Sequence, residues 1–534
     1  MFWADKIAAD AQVGSQGEII VNDSKTPSGR VHVGSLRGVV IHDAIERAIE
    51  HAGKPVKFIY GVDDYDALDT VPGYLDKAKF SPYLGFPLCN VPSPDENATD
   101  YAKYFMGEFL EVFEYLGIKP EIYYLRDRYR SGQLNHHIDL FLKNAHLVRE
   151  AYLEVSKAKR AENWLPFHPI CENCGKIATT VTTDYNGKEV FYTCEPNATN
   201  WVKGCGHSGW VSPFDGNGKL PWKVEWVAKW DILGINIEMA GKDHSQKGGS
   251  RDVANSICRK VLGKEPPFHS PYEFILVNGT KMSSSKGVGS SAKEIADLIP
   301  PELLRFLMLR TPPKTVINFS PNYETITRLF RDYDALIDKS RSESKSESDL
   351  EELIPLLYSQ LIEEIKSYQT FDFSTLISLL QVPHLDIKAE IENRSAAPLN
   401  EFDWQIANQR ITSARKWLQD YADEEEKLVI YLDKIPDRVA ELTPEQIAYL
   451  EQLIVNLKTN LDSSTWDGDT LQTTLFSTSK EVELPVKDAF KAVYLSFLGK
   501  ERGPKAGFLL SYLDREFVIA RLQAITNSTT GILG

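Results

Sequence analysis

The chain has 534 residues, 42% of them hydrophobic, and 60 Lys and Arg against 75 Asp and Glu leave a net charge of −15. That length and apolar fraction provide for roughly two to four domains with large buried cores, and the acidic balance excludes a general nucleic-acid coat while leaving room for a local basic groove. No apolar run approaches the roughly 18 residues of a membrane span and no signal-like apolar core follows Met1, so a cytoplasmic protein with no membrane partner is expected.

Glu18-Ile19-Ile20-Val21 reads as a short buried strand, followed by a turn from Ser24 to Arg30 that carries Pro27 and Gly29. From Val33 to Ile49 the apolar residues keep helical spacing, and Gly53-Lys54-Pro55 supplies the stop. Val56 to Val62 is the next strand. Strand, helix and strand within about 45 residues predict a right-handed βαβ crossover, and with it an α/β fold on a doubly wound parallel sheet. Ligands of such sheets bind beyond the strand carboxyl ends, which puts the turn 24–35 and the acidic residues Asp63, Asp64 and Asp66 at one mouth.

Residues 67–220 then read as a large insertion. Six cysteines are too few for a secreted disulfide scaffold, and four of them cluster as Cys171-Glu172-Asn173-Cys174, Cys194 and Cys205. Two thiolates two residues apart form a knuckle, and a second pair after a hairpin completes a tetrahedral Zn²⁺ site, structural because protein fills every position. The ten residues between Cys194 and Cys205 exceed the usual spacing, so His207 stands as an alternative fourth ligand. Cys89 and Cys258 stand alone, as small buried hydrophobes usually do.

The sheet is expected to resume with Ile237 to Gly241 and Tyr272 to Val277. Beyond it lies the glycine-flanked loop Lys281-Met282-Ser283-Ser284-Ser285-Lys286-Gly287, with two lysines for a polyphosphate and serines as donors. His32-Val33-Gly34-Ser35 opens the first helix, where backbone amides and the helix dipole favour phosphate and Gly34 lets a ligand ring approach. Past residue 290 helical patterns take over. Thr443-Pro444-Glu445-Gln446 marks a capped start, and the apolar-free run 338–349 reads as a linker. The expected domains are therefore 1–66 with 221–290 for the sheet, 67–220 for the insertion with its metal region at 168–210, a connecting part 291–345, and a helical part 346–534.

The two phosphate-handling motifs resemble the HIGH and KMSKS signatures of class I aminoacyl-tRNA synthetases. Further segments resemble the archaeal-type, class I lysyl-tRNA synthetases: Thr26-Pro27-Ser28-Gly29-Arg30, Tyr83-Leu84-Gly85-Phe86-Pro87-Leu88, Arg130-Ser131-Gly132, Val224-Glu225-Trp226, Gly241-Lys242-Asp243-His244 and Gly499-Lys500-Glu501-Arg502-Gly503-Pro504-Lys505-Ala506-Gly507. Ser35 replaces the second histidine of HIGH, and serine takes the second-lysine position of KMSKS with Lys286 two residues later; both departures are typical of the lysyl subgroup.

The resemblance implies a Rossmann-type catalytic domain that activates L-lysine with ATP and Mg²⁺ as lysyl-adenylate and transfers it to the 3′ end of tRNA(Lys). A monomer with no DNA partner is expected. By the same resemblance His32, Lys281 and Lys286 act on the phosphate charge, and Pro27, Gly29, Gly34, Ser35, Asp243, Met282, Ser283 and Ser284 join them around ATP. The lysine pocket is expected from Thr26, Asp63, Asp64, Trp222, Trp226, His244 and Tyr272, with Asp63 on the α-amine and an acidic neighbour for the side chain. Residues 291–345 would contact the tRNA stem and 346–534 would cage the anticodon, where Arg410, Arg415, Lys416 and Trp417 offer charge and stacking, although a solvated helix face is the commoner fate of such residues. A class I enzyme for glutamate is the near alternative. It needs an arginine facing the substrate carboxylate, whereas this mouth is rich in aspartate. A non-catalytic tRNA-binding paralogue would be expected to lose its phosphate-handling residues, which are all present.

Overall fold

The computed structural model describes residues 1–11, 17–277, 290–362, 364–382, 385–461 and 465–530. The chain divides into two compact units, Met1–Pro321 with Arg328–Ser367, and Asn322–Thr327 with Tyr368–Gly534.

The first unit is built on β1 (Ile19–Lys25), β2 (Val56–Val62), β3 (Glu121–Tyr124) and β4 (Ile235–Ile237), all parallel in the order β3-β2-β1-β4. β1 and β2 run in unbroken register from Ile19 opposite Val56 to Lys25 opposite Val62. Phe58 to Val62 are buried without alternation, the pattern of a strand covered on both faces. Helix α1 (Val33–His51) connects β1 to β2 and buries Leu36, Val40, Ile41, Ala44, Ile45 and Ile49 against the core. The expected βαβ crossover is thus present, ending ahead of Gly53-Lys54-Pro55.

Two strands expected to be continuous are each broken, and a buried side chain explains each break. Residues 237–241 divide between β4 and β5 (Ala240–Gly241), because Glu238 turns its carboxylate into the core. Residues 272–277 divide between β6 (Pro271–Tyr272) and β7 (Ile275–Val277). Between them the Glu273 carbonyl accepts from Arg37 at 2.7 Å, and the Phe274 carbonyl accepts from Arg37 at 3.2 Å as well as from the Ile317 amide at 3.1 Å. Arg37 is fully buried within α1 and also donates to the carbonyls of Pro312, Pro313 and Thr315. Its planar fork ties three segments together.

Three expectations of organisation are corrected. The span 67–220 is not one insertion, since Glu121–Tyr124 returns to the sheet as its edge strand. Strands do not end at residue 290: β8 (Ile317–Phe319) pairs in parallel with β7. The run 338–349 is not a bare linker, because the helix Tyr323–Ser340 extends into it and Ser346 and Asp349 form the capping box of the helix Glu347–Ser359. The compact units divide at Ser367 and Tyr368.

The second unit is helical. The helix Pro444–Asn460 begins with a Thr443–Gln446 capping box, and Tyr449, Leu450, Leu453 and Leu457 pack with Leu475 and Leu495 in its core. Arg410 and Trp417 belong to the interior of this unit and not to a stacking platform: both are buried, and Arg410 donates to the Phe371 carbonyl at 2.8 Å. Among the described residues no helix is long and apolar enough to cross a membrane.

Candidate active site and metal centre

A cavity of about 460 Å³ opens at the carboxyl ends of β1, β2 and β4, where the strand order reverses: β2 and β3 follow on one side of β1 and the chain then places β4 on the other. Strand ends diverge there, and the chain loops away from a crevice that no crossover fills. Ten of the expected ATP- and lysine-binding residues line it, together with Asp66 of the acidic mouth: Thr26 from the turn, His32, Gly34 and Ser35 from the start of α1, Asp63 after β2, Trp222 and Trp226 from α2 (Trp222–Ile232), Asp243 and His244 after β5, and Tyr272 from β6. Pro27 and Gly29 shape the turn without lining the cavity. Lys281, Met282, Ser283, Ser284 and Lys286 lie outside the described residues.

Both flanks of that loop are at the rim. Phe274 and Ile275 line the cavity before it, and after it Ser290 accepts the Val33 amide at 3.1 Å while Ala292 donates to Val31 at 2.8 Å. The helix start is therefore a narrower anion site than its sequence implies, since Ser290 occupies the Val33 amide and the His32 carbonyl takes the Ser35 amide at 3.0 Å.

Six carboxylates line the cavity, from Asp23, Asp63, Asp66, Glu225, Glu238 and Asp243, against Lys25 and Lys229, with no arginine among the described lining residues. Most of this charge is organised. Asp63 accepts from Lys229 at 2.9 Å and from Ser24 at 3.0 Å. Burial works against the Lys229 ammonium, and Asp63 beside it overcomes that and holds the ammonium above its ordinary range. Asp66 accepts from Lys219 and Thr26, and Lys219 also pairs with Glu225 at 3.2 Å. Burial pushes Glu225 up to about 7 against the pull of Lys219. Glu238 accepts from Asn22, from Trp226, from Trp230 at 2.6 Å and from Arg251 at 3.0 Å. The Arg251 guanidinium lies 4.3 Å from the Trp230 ring centre, so charge and stacking together lock the aromatic wall. Trp222 and Trp226 stand 6.0 Å apart, and His244 sits edge-on to Trp222 at 5.6 Å.

Asp64 is a correction. It is fully buried, does not line the cavity, and takes the Arg126 amide at 2.9 Å together with the Arg126 side chain. Arg126 in turn clamps Asp100 in two bonds of 2.6 and 2.8 Å. The chain turns just after β2, and there Asp63 faces the cavity while Asp64 points into the structure beneath. Asp23, Lys219 and Lys229 went unremarked in the sequence, and Glu225 and Glu238 entered only within the segment Val224-Glu225-Trp226 and the expected strand 237–241.

The sulfurs of Cys171, Cys174, Cys194 and Cys205 lie within 4.8 Å of one another. The Cys171–Cys205 and Cys174–Cys194 separations are 3.6 and 3.7 Å. Four thiolates about 2.3 Å from a tetrahedral Zn²⁺ stand about 3.8 Å apart, so the donor set fits that ion. Cys205 completes the cluster, and His207 points its Nε2 toward Glu172 at 4.0 Å. The knuckle closes through Gly175, whose φ of +74° and 2.6 Å clearance between a would-be Cβ and the Phe86 ring admit no side chain. The antiparallel strands Thr180–Tyr185, Val190–Cys194 and Ser208–Val211 carry the second pair.

A parallel α/β sheet with an acidic, tryptophan-walled cavity beyond its strand ends has the architecture of a doubly wound nucleotide-binding fold. Residues 1–357 match the model of the family described as tRNA synthetases class I (K), and the chain belongs to that family. It is 33% identical to the lysine--tRNA ligase of Archaeoglobus fulgidus, over 98% of this chain and 100% of that one. It is 34% identical to lysine--tRNA ligase 1 of Methanosarcina acetivorans, over 98% of each. Among solved structures, a glutamate tRNA ligase from Elizabethkingia meningosepticum aligns over 96% of this chain and 99% of its own at 12% identity and a TM-score of 0.40.

Proposed function

We propose that the chain activates L-lysine with ATP as lysyl-adenylate and transfers the lysyl group to the 3′ end of tRNA(Lys). The observation that carries this reading is full-length kinship with lysine--tRNA ligases, and the acidic cavity without a lining arginine agrees with it. The same cavity disfavours glutamate, whose side-chain carboxylate would face Asp63, Asp66 and Asp23.

In the first step the lysine carboxylate oxygen attacks the ATP α-phosphorus and pyrophosphate leaves with the bonding pair. No general acid is needed, and the work is positioning and stabilisation of phosphate charge. Mg²⁺ supplies part of that stabilisation when bound. We assign His32, Gly34 and Ser35 to the phosphate end, Asp243 to the ribose, and Lys281 and Lys286, with Met282, Ser283 and Ser284, to the triphosphate on the strength of their motif. Pro27 and Gly29 set the turn that presents them. Thr26, Trp222, Trp226, His244 and Tyr272 form the lysine pocket. Asp63 receives the α-ammonium, since a carboxylate accepts about four hydrogen bonds and Lys229 and Ser24 leave capacity. Zn²⁺ held by the four cysteines braces the hairpin. Residues 291–345 and 346–534 are assigned to the tRNA stem and anticodon of a monomeric, cytoplasmic enzyme.

ATP–pyrophosphate exchange across a panel of amino acids, with and without tRNA, tests the reading. Exchange is expected with L-lysine and at background with glutamate and arginine. In Lys281→Ala the rate is expected to fall far more than lysine affinity. Exchange driven by glutamate and not by lysine would overturn the assignment.

A further inference from the structure

Four of the cavity's carboxylates have a cation beside them: Asp63 has Lys229, Asp66 and Glu225 share Lys219, and Glu238 has Arg251. Asp23, at the end of β1, has no lysine or arginine within ion-pair distance among the described residues, Lys25 of the same strand acting on it only from further off, and 14% of its side chain remains exposed where it lines the cavity. Its Oδ1 accepts the Ser24 amide at 2.9 Å, and its Oδ2 lies 3.7 Å from His42 Nδ1. His42 is not a counter-ion. Its Nδ1 donates to the Gly38 carbonyl at 2.7 Å and its Nε2 accepts the Met239 amide at 3.0 Å, a pair of bonds that only the neutral ring makes. Burial also pushes this histidine down to about 4.

Gly38 shows what the carboxylate is kept open for. A Cβ there would lie 2.6 Å from the Tyr272 hydroxyl and 2.8 Å from Asp23 Oδ2, so the two oxygens converge over bare helix backbone. An ammonium leaving water needs several acceptors and a compensating negative charge, and this corner of the cavity offers both. Gly38 also lies one turn beyond Gly34, about 6 Å along the helix axis. A ligand whose carboxylate meets a nucleotide at the helix start therefore reaches Asp23 with a cation one four-methylene stem away.

We propose that Asp23, together with the Tyr272 hydroxyl, is the counter-ion of the substrate's side-chain ammonium and so determines selectivity for a cationic amino acid. This rests on the reading of lysine as substrate and adds to it the residue that reads the side-chain charge. Burial, helped by Glu238 and Asp63 and opposed by the Ser24 amide and Lys25, pushes Asp23 up to about 8. The groups facing it are Lys25 on β1, His42 on α1, Tyr60 on β2, Asp63 beyond β2, Glu238 beyond β4 and Tyr272 on β6. The binding-competent form is the carboxylate, so lysine affinity falls as pH drops below about 8 and the empty site takes up a proton.

The test is exchange kinetics on the full chain from pH 6.5 to 9 for wild type and Asp23→Asn, which keeps the acceptor for Ser24. Wild-type exchange with lysine, measured first, tests the underlying reading on its own. Loss of one charge-assisted bond corresponds to a KM for lysine raised about 10- to 100-fold, with kcat changed little and the pH dependence of KM flattened. Competition with 6-aminohexanoate, which lacks the α-amine, is expected to weaken in the variant, while competition with L-norleucine, which lacks the side-chain amine, stays unchanged. A variant KM within twofold of wild type overturns the proposal, as does selective loss of norleucine competition, which would assign Asp23 to the α-ammonium. If Asp23→Asn does not melt like wild type, Asp23→Ser is measured in its place with the same outcomes.

Discussion

Glu238 illustrates how one side chain serves packing and site together. Its buried carboxylate gathers Asn22, Trp226, Trp230 and Arg251, and so holds a cavity wall with the same bonds that neutralise a buried guanidinium. Glu238→Gln removes the anion and leaves the buried Arg251 guanidinium with neutral acceptors, the Pro267 carbonyl at 3.0 Å among them. Breaking a buried pair in this way costs about 3–5 kcal/mol, which urea unfolding of the variant should show as lost stability of the first unit. The amino-acid KM should rise with it as Trp226 loses its anchor. A loss below about 1 kcal/mol would mean that the pair contributes little beyond its hydrophobic equivalent. At this scale the sequence is least informative: Asp63, Asp64 and Asp66 look alike, and only the turn that follows β2 sends Asp64 to Arg126 and the other two to the cavity.

At the scale of elements, α1 shows local preference and tertiary demand in opposition. Alanine in place of a mid-helix glycine ordinarily adds about 0.5–1 kcal/mol of stability. At Gly38 the new methyl would press on the Tyr272 hydroxyl and Asp23 Oδ2. Gly38→Ala is therefore expected to gain no stability in a thermal melt and to raise the lysine KM by displacing that pair. A stabilised variant with an unchanged KM would show that Tyr272 swings aside freely. The spans of β2 and α1, and the start of the helix Pro444–Asn460, were legible because periodicity, caps and Gly-Pro stops are written locally. The breaks between β4 and β5 and between β6 and β7 were not. They are imposed by Glu238 and by Arg37, whose partners lie more than 200 residues away in sequence for Asn22 and for Glu273.

For the whole molecule, two compact units with separate cores predict two unfolding transitions in calorimetry. Lysine with a non-hydrolysable ATP analogue should raise the midpoint of one transition, that of Met1–Pro321 with Arg328–Ser367, because a ligand stabilises only the unit that binds it. A single cooperative transition, or a shift of both by the same amount, would show that the units fold as one.

The sequence by itself determined the α/β class, the βαβ start, the Cys171–Cys174 knuckle and the family, since each depends on residue types at short fixed spacings, whereas the choice of Cys205 over His207 as the fourth member of the cluster came from the structure. It also named most of the residues that line the cavity. Tertiary structure alone decided which carboxylates are already paired, because Lys219 and Lys229 reach Asp66 and Asp63 across elements distant in the chain. It likewise decided that Asp23 remains open toward the cavity, since charge balance in a buried site is a property of the assembled neighbours and no single segment carries it.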